Sequence, residues 1–566
     1  MVQQLQHVVK GQKIPEFFPP VTWPEPLKKL AQDALKEVPR LIDQSHIVIQ
    51  SENMQKLSEE IVRYQIAKQR SDKPMPWSPP GSWTLPMYRI AFEANAGVDF
   101  MASSMNKAGI LPLFYTEKEY QQFYYEYCNK RLWPLFHRHT EQKDGSLQVS
   151  DIFDVAPCDD VAFAEYVKLN FETAKAVANK AERDGLVWLH DYHLLLVPEY
   201  LKEMRPDLKL GYHFHIPVPD GKLIQPLDKD IERLFTSVMK CDYLSFNSKA
   251  DMENFKSIVS TMGLSTEHII FENNPIGAEP VKTLEKKPQP SIQKTMDEID
   301  HLRGKHKKES KDASSFQVIF SADRIDPSKG LKTRLKAISD ILEKSPSDAN
   351  NLLFVMVCPD SRTGIKAYER LNKWFKEEIQ RLNIVSNKKI DRDIIKFHGE
   401  MTPVELQTLA QRADTFMLTS GADGLHLGPA EWLATQNYHD KDKQVNIILS
   451  KGAGISEYFN HAMAFNPGDH KQLTTLLRQT TTESSMDKAT RSDKIKSDFH
   501  DGQGKGFRLD TWRDKAAKGL AAASEKSKLK KEAKNEPSFS SKTSTPPSIR
   551  AESEYTEKPV KRRRGG

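Results

Sequence analysis

Twice in this chain, apolar strands run into loops tipped with charged or hydrogen-bonding residues, and helix-patterned stretches follow. No other feature restricts the fold as tightly. Strands that are apolar throughout must be covered on both faces, and alternation with helices places them in parallel sheets. The first set comprises "GLVWLHD", "LKLGYHFHIPVP" and "CDYLSFNS", with "VPEYLKEM" read as a helix carrying Pro198 in its first turn. The second comprises "FQVIFSADRIDPSKGLKTRLKAISDIL", "NNLLFVMVCPDSR", "DTFMLTSGADGLHLGPAEWLATQ" and "VNIILSKGAGISEYF". The lysine-rich stretch between the two sets reads as a linker or an exposed excursion. The fold class that follows is α/β, two Rossmann-like domains with a cleft between them. The predicted bounds are 1–282 for the first domain with its extension, 283–314 for the linker and 315–524 for the second domain. Its last helix is expected to cross back, and a disordered basic tail over 525–566 completes the plan.

Charge and cysteine usage exclude several classes. The net charge of +6 resides entirely in residues 525–566, which hold twelve Lys/Arg against six Asp/Glu. A neutral body with a basic, Ser/Thr/Pro-rich tail is not the pattern of a nucleic-acid-binding domain. The tail's KRRR at 561–564 is the one feature a polyanion could use. No apolar run approaches the ~20 residues that span a bilayer, and the N-terminus lacks the apolar core of a secretory signal. Cys128, Cys158, Cys241 and Cys358 lie far apart without a CxxC pair. That argues against a disulfide framework or a structural zinc and fits a reducing, cytoplasmic setting.

In open parallel sheets, ligands bind beyond the carboxyl ends of the strands. His190-Asp191, Arg324, Arg362, Asp423 and Lys451 all sit at such ends. In "VWLHDYHLLLVPEYL", two imidazoles, a carboxylate and a phenol interrupt a buried element. A metal site would use such groups, but neither an HExxH-like spacing nor a partnering cysteine accompanies them. A hydrogen-bonded core pair is the bland alternative. A polyhydroxylated ligand suits the set better, because a sugar needs charged acceptors and rings that both donate and accept. In "GYHFHIPVP", His213 and His215 share a face by strand alternation, and the strand-end histidine is the one able to face a cleft.

"DRIDPSKG" places Arg324 and Lys329 on a loop between strand and helix, where an arginine fork, a lysine and free N–H groups suit a diphosphate. "DGLHLGPAEWLATQ" starts a helix after Gly428, with Pro429 at its first position. That first turn offers N–H groups to phosphate, Glu431 to ribose hydroxyls and Asp423 to a sugar. Glu431 alone would also be ordinary first-turn capping. "TEKEYQQFYYEYCNKRLWPLFH" opens with a capping-box pattern, Thr116 and Glu119. Tyr120, Phe123, Tyr124 and Tyr127 then form a helical stripe that reads first as core.

Taken together, HDYHLLLVPEYL, GYHFHIPVP, YCNKRLWPLFH, DRIDPSKGL, PDSR, DGLHLGPAEW and LSKGAG resemble the trehalose-6-phosphate synthases, retaining GT-B glycosyltransferases of family 20. The resemblance spans roughly 115–520. It implies transfer of glucose from UDP-glucose to glucose 6-phosphate, without a metal or other cofactor, by a chain that needs neither nucleic acid nor membrane. A homo-oligomer is compatible with it. It assigns Arg324 and Lys329 to the diphosphate, the Leu427–Gly428 backbone to a phosphate cradle and Glu431 to the ribose. Asp423 holds the donor glucose and His215 lies beside the reacting carbon. Tyr124, Trp133 and Asp191 touch the acceptor sugar, and Arg362 its phosphate. The chain departs from the family pattern in its N-terminal block, where an Asn-Arg pair and a Gly-Gly-Leu are missing. It also has Ala422 and His426 where the family usually has Arg and Asn. These departures keep open a catalytically silent regulatory relative that binds nucleotide sugar or sugar phosphate.

Overall fold

The structure is a computed structural model. It describes residue 113 and residues 117–535, apart from 144, 151–154, 310–315, 363 and 502–506. The missing family motifs of the N-terminal block, and Thr116 of the capping box, fall outside the described residues.

The second domain carries a six-stranded sheet: β7 (Gln317–Ala322), β8 (Leu352–Val357), β9 (Ile395–His398), β10 (Thr415–Leu418), β11 (Asn446–Ser450) and β12 (Met463–Phe465). All neighbours are parallel, in the order β12-β11-β10-β7-β8-β9. Counted within the domain this is the 3-2-1-4-5-6 order of a doubly wound sheet, whose direction reverses between its first and fourth strands. The loops after β7 and β10 therefore open onto a crevice. Leu352–Val357 is buried at every position, as expected of a strand covered on both faces. One apolar cluster lies on each side of the sheet, with Phe320, Leu418 and Trp432 in one and Ile319, Met417 and Ile448 in the other.

The first domain's described sheet is β3 (Leu186–His190), β4 (Lys209–Phe214), β5 (Tyr243–Phe246) and β6 (Ile270–Asn273), parallel and in that order. An antiparallel hairpin, β1 (Thr140–Lys143) and β2 (Ser146–Val149), precedes it. Ahead of the hairpin, a short α-turn, Glu117–Tyr120, widens into a π-helix, Gln121–Leu132, and closes with Trp133–Phe136. The expected aromatic stripe splits along this segment. Phe123 and Tyr127 are buried in the core, while Tyr120 and Tyr124 are half-buried. π-Helical turns are rare and occur frequently at functional sites; this one carries Tyr124 and Asn129, and Trp133 follows it directly.

Two expectations are corrected. The lysine-rich stretch is not simply a linker: Pro290–Glu309 forms a helix whose Ile292, Met296, Ile299 and Leu302 are buried in the second domain's core. Their spacing of three and four residues is an amphipathic signal that the lysines between them obscured. The expected boundary at 525 coincides with the division of the chain into compact units, but the stretch beyond it is not disordered from its start, because the last helix, Leu509–Asn535, includes residues 525–535; residues 536–566 lie outside the described set.

The start of that helix packs on the first domain's sheet, with Trp512, Ala516 and Leu520 against Trp188 and Tyr243. Further contacts join the two domains. The Glu457 carboxylate accepts from the N–H groups of Lys249 and Ala250 at 2.7 and 2.9 Å, the first turn of helix Lys249–Thr261. The Tyr458 hydroxyl donates to the Asn247 carbonyl at 2.6 Å. Among the described residues, no helix is long and apolar enough to cross a membrane.

Candidate active site

The loop after β7, Asp323 to Gly330, is fixed by buried charge. Asp323 pairs with Arg334, whose side chain is fully buried, and its Oδ1 lies 2.6 Å from His426 Nε2. Burial alone would raise the Asp323 carboxyl, but Arg334 and the His426 bond outweigh it and hold the group well below the usual carboxylate range. Asp326 accepts from Ser328 N–H and hydroxyl at 3.0 and 2.8 Å. Its other oxygen forms an ion pair with Arg362 that is almost entirely out of solvent. Arg362 and Arg324 oppose the effect of burial and lower the Asp326 carboxyl to about 2. Gly330 is required here: its φ is +63°, and a Cβ would lie 1.9 Å from the Thr419 carbonyl oxygen.

Lys329 and Arg324 do not share a partner. Lys329 Nζ pairs with Asp423 of the β10 loop. Arg324 is exposed, and its guanidinium stands 5.7 Å from the Trp133 ring centroid. Arg362 stacks on the same indole at 4.0 Å, within the range of a cation–π contact. His137 stacks on Trp133 as well, at 3.9 Å. Burial pushes the His137 ring down to about 4, against the pull of the Asp326 and Asp423 carboxylates. The Trp133–His137 turn therefore lies within the field of both acid–base pairs. The Arg362 backbone has φ +46°, in the region that non-glycine residues seldom adopt. Its Nε donates to Asn129 Oδ1 at 2.5 Å.

The loop after β10 delivers helix Gly428–His439, with Leu427 at its N-cap and Glu431 in its first turn. A cavity of about 210 Å³ opens there, lined by Lys329, His426, Gly428 and Glu431 over an apolar floor that includes Ala322 and Phe416. The arrangement joins a lysine, a helix N-terminus and a carboxylate, which suits an anionic ligand that also carries hydroxyls. Gly424 brings the loop onto the first domain, since a Cβ there would lie 2.1 Å from the His215 carbonyl oxygen. Asp423 and His215 thus border one cleft.

On the first domain's side, His215 follows the end of β4, and its Nε2 lies 3.1 Å from His190 Nδ1. Asp191 follows β3 with φ +68°. Burial pushes its carboxyl up to about 6, moderated by the N–H groups of Tyr192, His215 and Ile216. Its Oδ1 is buried with no partner among the described residues. Tyr124 stacks on His193 at 5.8 Å with the rings 8° from parallel. Tyr124 and Trp133 stand on one helical segment, and Asn129 links them through Arg362 and the Tyr124 carbonyl.

The sequence assigned no role to Asn129, Asp326 or His426, and placed His190 at a ligand-facing strand end without a role of its own. Asn129 and Asp326 had a visible signal, since they lie inside quoted motifs beside residues that were chosen. The partnership of His426 with Asp323 joins positions 103 residues apart, and no local pattern announces it. Among the described residues, no group of three or more His, Cys, Asp or Glu has a metal-holding arrangement.

Residues 87–503 match the family model for glycosyltransferase family 20. The chain belongs to glycosyltransferase family 20. Among its relatives, the alpha,alpha-trehalose-phosphate synthase [UDP-forming] A of Dictyostelium discoideum is 28% identical over 373 residues, 64% of this chain and 47% of that protein. The bifunctional trehalose-6-phosphate synthase/phosphatase of Thermoproteus tenax is 28% identical over 372 residues, with the same coverage. The family 20 chain spans about half the length of these two relatives. A crystal structure of an alpha,alpha-trehalose-phosphate synthase (UDP-forming) from Burkholderia vietnamiensis matches with a TM-score of 0.60 at 24% identity, over 72% of this chain and 86% of that one. This likeness gives the fold, which is GT-B.

Proposed function

We propose that this chain is a retaining glucosyltransferase that moves glucose from UDP-glucose to glucose 6-phosphate, yielding α,α-trehalose 6-phosphate and UDP. One observation carries the reading. Lys329, the start of helix Gly428–His439 and Glu431 surround one cavity at the sheet's switch point, and the loop bearing Asp423 touches His215 of the other domain. The names of the relatives, UDP-forming trehalose-phosphate synthases, support the choice of substrates.

In this reading Arg324, Lys329 and the Leu427–Gly428 N–H groups bind the donor diphosphate, and Glu431 binds the ribose. Asp423 holds hydroxyls of the donor glucose, and His215 borders its anomeric carbon. Asp191, Tyr124 and Trp133 contact the acceptor sugar, and Arg362 its phosphate. The bond from anomeric carbon to diphosphate oxygen breaks, and the acceptor hydroxyl oxygen bonds to the same face of that carbon. The hydroxyl proton passes to the departing diphosphate. Protein cations and the helix end stabilise the charge that develops there, and the closed cleft supplies the orientation.

A second reading, a silent subunit that binds ligand without turnover, has one specific observation in its favour. Arg362 is already committed to Asp326 and Asn129 inside the protein, so an acceptor phosphate must share it. Incubating the purified protein with UDP-glucose and a panel of sugar phosphates, then identifying products by mass spectrometry and NMR, separates the two. The synthase reading expects an α,α-linked phosphodisaccharide from glucose 6-phosphate. UDP binding with no product from any acceptor overturns it.

A further inference from the structure

Behind His215 lies a cluster of rings that no substrate contact explains. The rings of His190, His213 and His215 lie 4.6 to 6.1 Å apart. Trp188 of β3 and Trp512 of the last helix pack over them, with ring centroids 4.5 and 6.0 Å from that of His190. His213 is anchored separately, its Nδ1 2.8 Å from the Ser245 hydroxyl. Among the described residues of this cluster, His190 is the one that hydrogen-bonds His215, through its Nδ1 and the Nε2 of His215.

Burial lowers His190 well below its ordinary value and His215 to about 4, so both rings are neutral at physiological pH. A contact between two neutral imidazoles uses one proton, and its direction decides what each ring presents on its other side. Were His215 the donor, His190 would carry its own proton on Nε2, and that nitrogen is buried with no partner among the described residues. An orphaned buried N–H is among the rarest features of folded proteins, and a bare acceptor is less unfavourable. The indole N–H groups of Trp188 and Trp512 are also buried without partners among the described residues, so a further orphaned donor beside them is the less favourable choice.

We infer that His190 is a positioning residue: its Nδ1–H donates to His215 Nε2, which fixes His215 as the Nδ1–H tautomer and makes it a hydrogen-bond donor to a sugar oxygen. This rests on the reading of His215 as a residue beside the donor sugar. His215 then binds the donor glucose without serving as a base, which agrees with a transfer in which the leaving diphosphate takes the proton. The free imidazole favours the opposite tautomer, so the protein must impose this one.

The experiment is 15N NMR on protein labelled at its histidines, with the His215 signals assigned by their loss in His215→Asn. The expected pattern is a protonated Nδ1 and a bare Nε2 in the wild type. In His190→Leu, which cannot donate, His215 should shift toward the Nε2–H form. In His190→Asn, whose amide nitrogen stands near the place of Nδ1, it should stay put. Turnover should follow the tautomer, with kcat down about tenfold or more in His190→Leu and at least half restored in His190→Asn. UDP affinity should stay equal in all three and certify folding. A protonated Nε2 in wild-type His215, or an unchanged tautomer in His190→Leu, overturns the inference. A tautomer that shifts as expected while kcat and the KM for UDP-glucose hold instead removes His215 from the donor site. Its NMR signature needs no turnover, so the two failures are distinguishable.

Discussion

The two sides of the cleft handle polarity differently. On the donor side, the Lys329–Asp423 pair retains some solvent exposure at 12% and 14%, and the cavity walls combine a helix N-terminus with a carboxylate. On the acceptor side, the Arg362–Asp326 pair retains only 4% and 0%. Polar atoms with no partner among the described residues lie on that side: Asp191 Oδ1, His193 Nε2 and Trp133 Nε1. Unused hydrogen-bonding capacity occurs on both sides, at His426 Nδ1 and Gln407 Oε1 of the donor cavity as well; the difference is that the donor side adds a partly solvated charge, whereas the charges of the acceptor side are paired out of solvent. Each buried polar atom without a partner costs about 1–3 kcal/mol, and a ligand rich in hydroxyls relieves that cost on binding. The difference matches a charged diphosphate on one side and a sugar on the other.

The largest expected effect comes from breaking the acceptor-side pair. Asp326→Ala strands Arg362 in a dry site and should lower unfolding free energy by about 3–5 kcal/mol. Asp423→Ala should change stability far less, since Lys329 still reaches water. Urea unfolding of both variants checks the contrast, and equal losses would dissolve it.

Next comes donor affinity. Replacing Lys329 by Ala removes a charge-assisted contact of about 1.5–3 kcal/mol, so UDP affinity should fall roughly tenfold to a hundredfold. Arg324→Ala should act in the same direction. Calorimetry that finds both variants unchanged would remove these residues from the diphosphate.

A smaller effect should appear with pH. The folded Asp191 carboxyl, at about 6, lies above its unfolded value of about 4. Folding therefore binds a proton, and this group favours the folded state at low pH, losing that contribution as pH rises through the 4–6 window. Acceptor binding by the ionised carboxylate moves the opposite way, so the KM for acceptor should rise as pH falls below about 6. Asp191→Asn should flatten both curves relative to wild type. Melting temperatures and acceptor KM values between pH 4.5 and 7.5 test the pair of signs; parallel curves for variant and wild type would count against it. The smallest expected effect is that of EDTA, which should leave turnover unchanged because protein cations neutralise the diphosphate. Activity lost to EDTA and restored by Mg²⁺ would contradict that.

The loops of the proposed donor side were legible in the sequence because their pattern is local. Arg324, Lys329 and Asp423 lie on loops that directly follow strands, Gly428 and Glu431 start the helix after one of them, and strand–loop–helix is a short-range pattern. The acceptor side was legible in its residues but not in their pairing. Asp326 was passed over between Arg324 and Lys329, yet it is the partner of Arg362, 36 residues further on. The His426–Asp323 and Arg362–Asn129 contacts join positions more than 100 residues apart, which periodicity and spacing do not encode. The helix Pro290–Glu309 was hidden by composition, since its seven Lys, Arg and His residues drew attention from four buried apolar ones.

The central claim is that both sides act together on one pair of substrates. Glucose 6-phosphate-dependent release of UDP from UDP-glucose, followed in a coupled assay, tests it most directly. The expected result is steady release that requires the acceptor, and an Arg362→Ala variant whose KM rises far more for glucose 6-phosphate than for UDP-glucose. Tight UDP binding with no acceptor-dependent release would contradict it and leave a donor site without a working acceptor site.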